Sequence, residues 1–171
     1  KSWGRIMILA TVGTHEDQFN RLLVELNRLV EVGAIKERVV VQSGYCDADA
    51  PAVECFDQLP FDELQSLMAE ANVIITHGGP ASIMQAMAHG KVPIVVPRQS
   101  KFGEHVDDHQ CRFAEKMRER VLVVLDIEEL GQTIEDWAER VSLLPETNVG
   151  PDRAAQFSTK LDALCRDLLS N

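Results

Sequence analysis

The sequence predicts an α/β domain built on a parallel sheet with helices on both faces. Short continuous Val/Ile/Leu runs recur along the chain, segments with apolar residues at helical spacing alternate with them, and glycine-bearing polar stretches mark the strand-to-helix junctions. Uninterrupted aliphatic strands are those buried on both sides, and a strand-helix alternation supplies that cover.

Each element follows from its pattern. Residues 5–11 form an aliphatic run that stops at Gly13, and residues 17–30 repeat Phe19, Leu22, Leu23, Leu26, Leu29 and Val30 at helical spacing. Strand 38–42 is followed by a loop holding a possible short strand at 53–56, then by helix 61–70. Strand 73–76 leads into helix 81–89. Strand 92–96 leads through a long loop into helix 106–118, and strand 121–125 closes the series before helical stretches at 127–144 and 151–169. The polar stretch 145–151 reads as a hinge into a terminal helix (151–171), so residues 1–171 are expected to form a single domain of Rossmann-like type. No internal repeat or low-complexity segment is present.

Composition narrows the function. The 171 residues are 45% hydrophobic, enough for one core without staples. The balance of 17 Lys+Arg against 27 Asp+Glu gives a net charge of −10, which repels phosphate backbones and argues against nucleic acid as a partner. Cys46, Cys55, Cys111 and Cys165 form no CxxC pair and read as reduced thiols of a cytoplasmic protein. No apolar run approaches the ~20 residues that cross a bilayer, so any membrane association is expected to come through a partner at the inner face.

In an open parallel sheet, ligands bind where strands end and helices begin. The first such loop is Thr11-Val12-Gly13-Thr14-His15, where a glycine turn bares amides toward a helix start. Alone, it reads more readily as a glycine that merely lets the chain leave the strand, and the Gly-Lys-Ser/Thr of a Walker loop is absent. The second, Thr76-His77-Gly78-Gly79-Pro80-Ala81-Ser82, sets two glycines before a helix with Pro in its first turn, a geometry suited to close anion approach. Ser82 and Gln85 share a face of that first turn. The third loop, residues 97–110, exceeds the usual two to six residues of such connections. Arg98 and Lys101 in it offer the positive charge that an acidic domain needs for a diphosphate, or else belong to a solvated surface loop.

The runs His77-Gly78-Gly79-Pro80-Ala81-Ser82-Ile83-Met84-Gln85-Ala86, Gly90-Lys91-Val92-Pro93-Ile94-Val95-Val96-Pro97 and Asp108-His109-Gln110, with Val12-Gly13-Thr14 near the start, resemble the C-terminal domain of family 28 glycosyltransferases. The likeness spans most of the chain and is closest to small catalytic subunits of two-component enzymes, the bacterial exopolysaccharide type above all. It implies a UDP-sugar donor with uracil near Pro60-Phe61, diphosphate over Gly13-Thr14 and residues 79–82 (Gly79, Ala81, Ser82, beside His77 and Gly78), and sugar near His109-Gln110. It also implies an inverting, metal-free transfer in which helix dipoles and amides stabilise the departing UDP, with a membrane-anchored partner subunit presenting a lipid-linked sugar acceptor. Residues beyond 121 are taken up by a strand and helices, so the acceptor site is expected on that partner. The family's ribose-binding glutamate falls on Gln85, whose amide both donates and accepts. That departure keeps open a non-catalytic nucleotide-sugar-binding module.

No catalytic base is assigned; His15 is a candidate because its loop faces the cleft. A self-sufficient hydrolase using His77 or His109 with Asp107 is a further alternative. Asp47-Ala48-Asp49 spells the DxD of metal-dependent transferases but lies in an acidic loop, where chance explains it. The spacings of His77, His105, His109 and Cys111 match no zinc set. No metal or other cofactor is expected.

Overall fold

The computed structural model describes residues 7–145; the expected hinge beyond Pro145 and the terminal helix lie outside them. Six strands are described: β1 (Met7–Thr11), β2 (Arg38–Gln42), β3 (Glu54–Phe56), β4 (Val73–Thr76), β5 (Ile94–Val95) and β6 (Leu122–Val123). The helices are α1 (Asn20–Glu31), α2 (Phe61–Glu70), α3 (Pro80–Ala88), α4 (His109–Lys116), α5 (Leu130–Glu135) and α6 (Trp137–Ser142). All strand pairs are parallel, in the order β3-β2-β1-β4-β5-β6. The chain winds outward from β1 in one direction and returns to its other side at β4, so the crevice opens between the carboxyl ends of β1 and β4. Thr11 and Thr76 pair across that junction, which starts the first and second loops at one level.

Alternation along the strands divides the core between two faces. Ile8 and Ala10 of β1 pack with Phe19, Leu22, Leu26 and Leu29 beside α1, and Ile134, Trp137 and Val141 of α5 and α6 join them. Met7 and Leu9 point the other way, to Met68 of α2, Ile74 and Ala86 of α3. Ile83, Val95, Phe113, Ala114 and Met117 fill the space between α3, α4 and β5. Leu22 and Leu26 are fully buried, and each such side chain contributes about 1.5–3 kcal/mol through burial.

Several boundaries shift for identifiable reasons. Helix α1 starts at Asn20 rather than 17 because the Asp17 N–H donates to His15 Nδ1 at 3.2 Å, holding the entry in a turn. Helix α4 starts at His109 rather than 106: Asp107 Oδ1 accepts from the His109 amide at 2.8 Å and Asp108 Oδ1 from the Ser100 amide at 2.8 Å, which folds residues 99–108 into a loop. That loop contains a short 3₁₀ turn, Ser100–Phe102, closed by Gly103 at φ +69°. The expected helix 127–144 is a 3₁₀ turn (Ile127–Glu129), α5 and α6, broken at Asp136. Trp137 Nε1 donates to Val92 O at 3.2 Å and fixes α6 to the start of β5. Among the described residues no helix is long and apolar enough to cross a membrane.

Candidate functional site

The loops after β1, β4 and β5 meet at the β1/β4 crevice, and His77 is the side chain that joins the first two. It is buried to 8% exposure, its amide donates to Thr11 O at 3.2 Å, and its ring packs against two glycines at once. A Cβ at Gly13 would stand 2.5 Å from His77 Cε1, and one at Gly79 would collide with His77 Nε2. Gly13 also needs its left-handed φ of +77°. Burial, and secondarily the Arg98 guanidinium, lower the His77 pKa from 6.5 to about 4, so the imidazole is neutral at pH 7. Among the described residues its buried Nδ1 has no hydrogen-bond partner. Asp107 stands 3.3 Å from His105 Nδ1.

Helix α3 begins beside this knot. Gly79 is its N-cap and Pro80 its first residue, no side chain caps it, and no acidic residue occupies its first turn. Its leading amides are therefore left for an outside acceptor, and the positive end of the helix dipole faces the same way. Ala81 is exposed and Ser82 and Gln85 are half-buried along this turn, while Thr14 is exposed on the first loop. Phe61 starts α2 at the same end of the sheet, 66% exposed.

The third loop is tied in by Gln110. Its Oε1 accepts from the Gly78 amide at 3.1 Å and the Arg98 amide at 3.2 Å, and a Cβ on Gly78 would press on Gln110 Cβ at 2.7 Å. Gln110, expected near the donor sugar, has a buried side chain whose carbonyl oxygen accepts from two backbone amides. His109 stays exposed at the head of α4.

Arg98, expected to supply positive charge for a diphosphate, is wholly buried. Nη1 donates to Asp17 O at 2.5 Å and Glu104 O at 3.1 Å, and Nη2 to Val12 O at 2.8 Å. The guanidinium lies over the Phe19 ring at 5.1 Å. Burial lowers its pKa, and the carbonyls of the first and third loops solvate it in place of water. It is a strut between those loops, so its charge reaches the crevice only as a field.

A second cation, Arg21, was not singled out by the sequence. Its Nε and Nη2 donate to Glu104 at 2.8 and 3.0 Å, and it stacks between Phe19 and Phe102 at 5.3 and 4.8 Å. Its partner is 83 positions away, a separation that no local pattern reveals. Beside this pair a cavity of about 500 Å³ is lined by Glu16, Asp17, Asn20, Phe102 and Glu104. It adjoins the rim rather than the glycine loops. Phe102 and Val106 are 53% and 83% exposed.

The Asp47-Ala48-Asp49 segment has a structural task. Asn20 Nδ2 donates to Asp47 Oδ1 at 2.7 Å, and Asn20 Oδ1 accepts from the Asp47 and Ala48 amides, which ties this loop to the head of α1. Among the described residues no group of three or more His, Cys, Asp or Glu is placed to hold a metal ion.

Solved structures with a similar fold include glycosyltransferases and a UDP-GlcNAc 2-epimerase. The chain is similar to MurG of Acinetobacter baumannii (TM-score 0.56, 16% identity, 95% of this chain and 51% of that one). It is also similar to the glycosyltransferase VinC in complex with dTDP (0.53, 21%, 99% and 42%). A third is the UDP-GlcNAc 2-epimerase of Neisseria meningitidis bound to UDP-GlcNAc (0.57, 13%, 100% and 46%). The chain thus spans about half the length of each. A search of curated protein sequences finds no match. The sequence profile of the glycosyltransferase family 28 C-terminal domain matches residues 7–157, and the chain belongs to that family.

Proposed function

We propose that this chain is the donor-binding half of a two-component glycosyltransferase. It holds a UDP-sugar, and a membrane-anchored partner subunit presents a lipid-linked sugar acceptor at the inner face of the membrane. One observation carries the donor site: the uncapped N-terminus of α3 opens beside Gly13 and Gly79, both packed on the neutral ring of His77. Backbone amides and a helix dipole suit a diphosphate, and the net charge of −10 makes such local donors necessary.

In the reaction so read, an acceptor hydroxyl attacks the anomeric carbon from the face opposite the leaving group, and the sugar transfers with inversion. The bond from the anomeric carbon to the UDP oxygen breaks, and the charge arriving on the diphosphate is met by amides already aimed at it. No metal is required for that step. A non-catalytic nucleotide-sugar-binding module is the second reading, favoured by the neutral Gln85 where the family has a carboxylate.

Isothermal calorimetry of UDP, GDP and their sugars tests the donor. Saturable UDP binding with no response to GDP supports the reading; absence of any nucleotide binding by the folded chain ends it.

A further inference from the structure

We infer that His15 and His105 form a two-imidazole anion site at the rim of the crevice that receives the outer phosphate of a nucleoside diphosphate. The inference rests on the donor reading above and extends it to residues that reading leaves unassigned.

The two rings come from loops 90 positions apart in sequence, the first and the third, yet their centroids are 4.9 Å apart with planes at 39°. Each ring is held by the same local device. His15 Nδ1 accepts from the amide of Asp17 at 3.2 Å, and His105 Nδ1 from the amide of Asp107 at 3.4 Å. In a neutral imidazole whose Nδ1 accepts, the proton resides on Nε2. Each ring therefore carries its N–H donor on Nε2, on the side away from that Nδ1 contact. The carboxylates of Asp17 and Asp107 stand 3.5 and 3.3 Å from the same Nδ1 atoms, so a second proton taken up by either ring meets an anion at once.

Two imidazolium rings at this separation repel, and an anion bridging their Nε2 edges removes the repulsion. Two arginines of these elements are already engaged. Arg98 is spent on backbone carbonyls and Arg21 on Glu104. His77 is buried and neutral. The carboxylates beside the two rings are those of Asp17 and Asp107, with Arg112 and His109 acting on Asp107 from α4. His15 directly follows Gly13-Thr14 in the first loop, so the pair stands next to the loop on which the donor reading seats the diphosphate. Histidine gains charge between about pH 5 and pH 8, and charge-assisted bonds to phosphate are roughly twice as strong as neutral ones.

The test is calorimetric titration of UMP, UDP and inorganic pyrophosphate into the wild-type chain, His15→Gln, His105→Gln and the double variant. Titrations run from about pH 8 down to about pH 6.5, a window in which histidine charge changes. The expected result is a UDP affinity that rises about tenfold on acidification, with UMP changing by less than about twofold because it lacks the outer phosphate. Either substitution should remove most of the rise, and the double variant should lose little more than one single, as coupled residues do. Equal pH slopes for UMP and UDP in the wild type overturn the site, as do variants that keep the full slope. Histidine-dependent binding of pyrophosphate without any nucleotide binding supports the anion site and ends the donor reading. Binding of neither nucleotide nor pyrophosphate ends the anion site.

Discussion

The ring of His77 and the backbone of Gly13 are in direct contact, with room for a hydrogen but not for a methyl group: a Cβ at Gly13 would lie 2.5 Å from His77 Cε1. Gly79 meets the same ring from the other loop, so one imidazole sets the spacing of two loops. Gly13→Ala adds left-handed strain to this collision and should destabilise the chain by about 2–4 kcal/mol. Gly79 has an ordinary φ of −70°, and Gly79→Ala should cost about 1–2 kcal/mol from overpacking alone. A valine at Gly79 meets His77 before it meets any ligand, so that larger change disturbs the fold as well as the site. Urea unfolding of Gly79→Ala in wild-type and His77→Ala backgrounds isolates the contact. An equal penalty in both would show that the ring is not what the methyl group strikes.

The buried His77 makes stability depend on pH. Its folded pKa of about 4 lies below the ordinary 6.5, so the unfolded chain binds the proton more readily. This contribution is fully present above pH 6.5 and is lost as pH falls from there through 4, at up to about 1.4 kcal/mol per pH unit. His77→Gln should flatten that slope between about pH 6.5 and pH 4, read as the change in unfolding free energy with pH. An unchanged slope would mean the ring is already protonated when folded.

Arg98 should behave as a structural residue. Arg98→Lys cannot reach the carbonyls of Val12, Asp17 and Glu104 with one ammonium as a planar fork does, and unpaired buried carbonyls remain. A loss of about 3 kcal/mol is expected. Thermal melts check it, and an Arg98→Lys variant with wild-type Tm and weakened UDP binding would return the residue to the ligand.

These residues show where sequence reading stops. Strand and helix order was legible because Val39, Val40 and Val41 or Ile74 and Ile75 can only be doubly buried strands, and α1 repeats leucine at helical spacing. The glycine loops were legible for the same local reason. The roles of Arg98 and Gln110 were not: a polar residue after a strand end looks identical whether it faces solvent or turns inward, and its carbonyl partners lie up to 86 positions away. The Arg21–Glu104 pair and the His15–His105 contact are equally long-range, and only the folded loops bring them together.

UDP should raise the Tm of the chain equally with and without EDTA, because the proposed cradle is made of amides. A ligand bound only by the folded state stabilises by RT ln(1 + [L]/Kd). Gln85→Ala should weaken UDP by about 0.5–1.5 kcal/mol, one neutral hydrogen bond, and Gln85→Glu should retain binding. Stabilisation abolished by EDTA would call for a metal, and the Asp47 to Asp49 carboxylates would need testing despite their tie to Asn20.

The last prediction separates donor binding from transfer. Transfer requires two substrates held in register, and orientation supplies up to about 7–11 kcal/mol of such a barrier. The solved transferases that this chain resembles are about twice its length, so in the two-component reading the second wall of the cleft is the partner subunit. The surface proposed for it is the rim around the third loop, where Phe102 exposes its ring at the acidic cavity bounded by Glu16, Asp17 and Glu104, and Val106 of the same loop is exposed. A partner segment carrying basic residues beside an apolar anchor fits that surface by charge and by area. Phe102→Ala keeps Arg21 paired with Glu104, so it should leave UDP affinity within about twofold while lowering transfer at least about tenfold, as loss of one buried aromatic anchor does. The measurement is transfer from a UDP-sugar to a lipid-linked acceptor in membranes, with the chain alone and with its partner. Repeated turnover by the chain alone at the rate of the mixture would remove the need for a partner, and Phe102→Ala with full activity in the mixture would move the docking surface elsewhere.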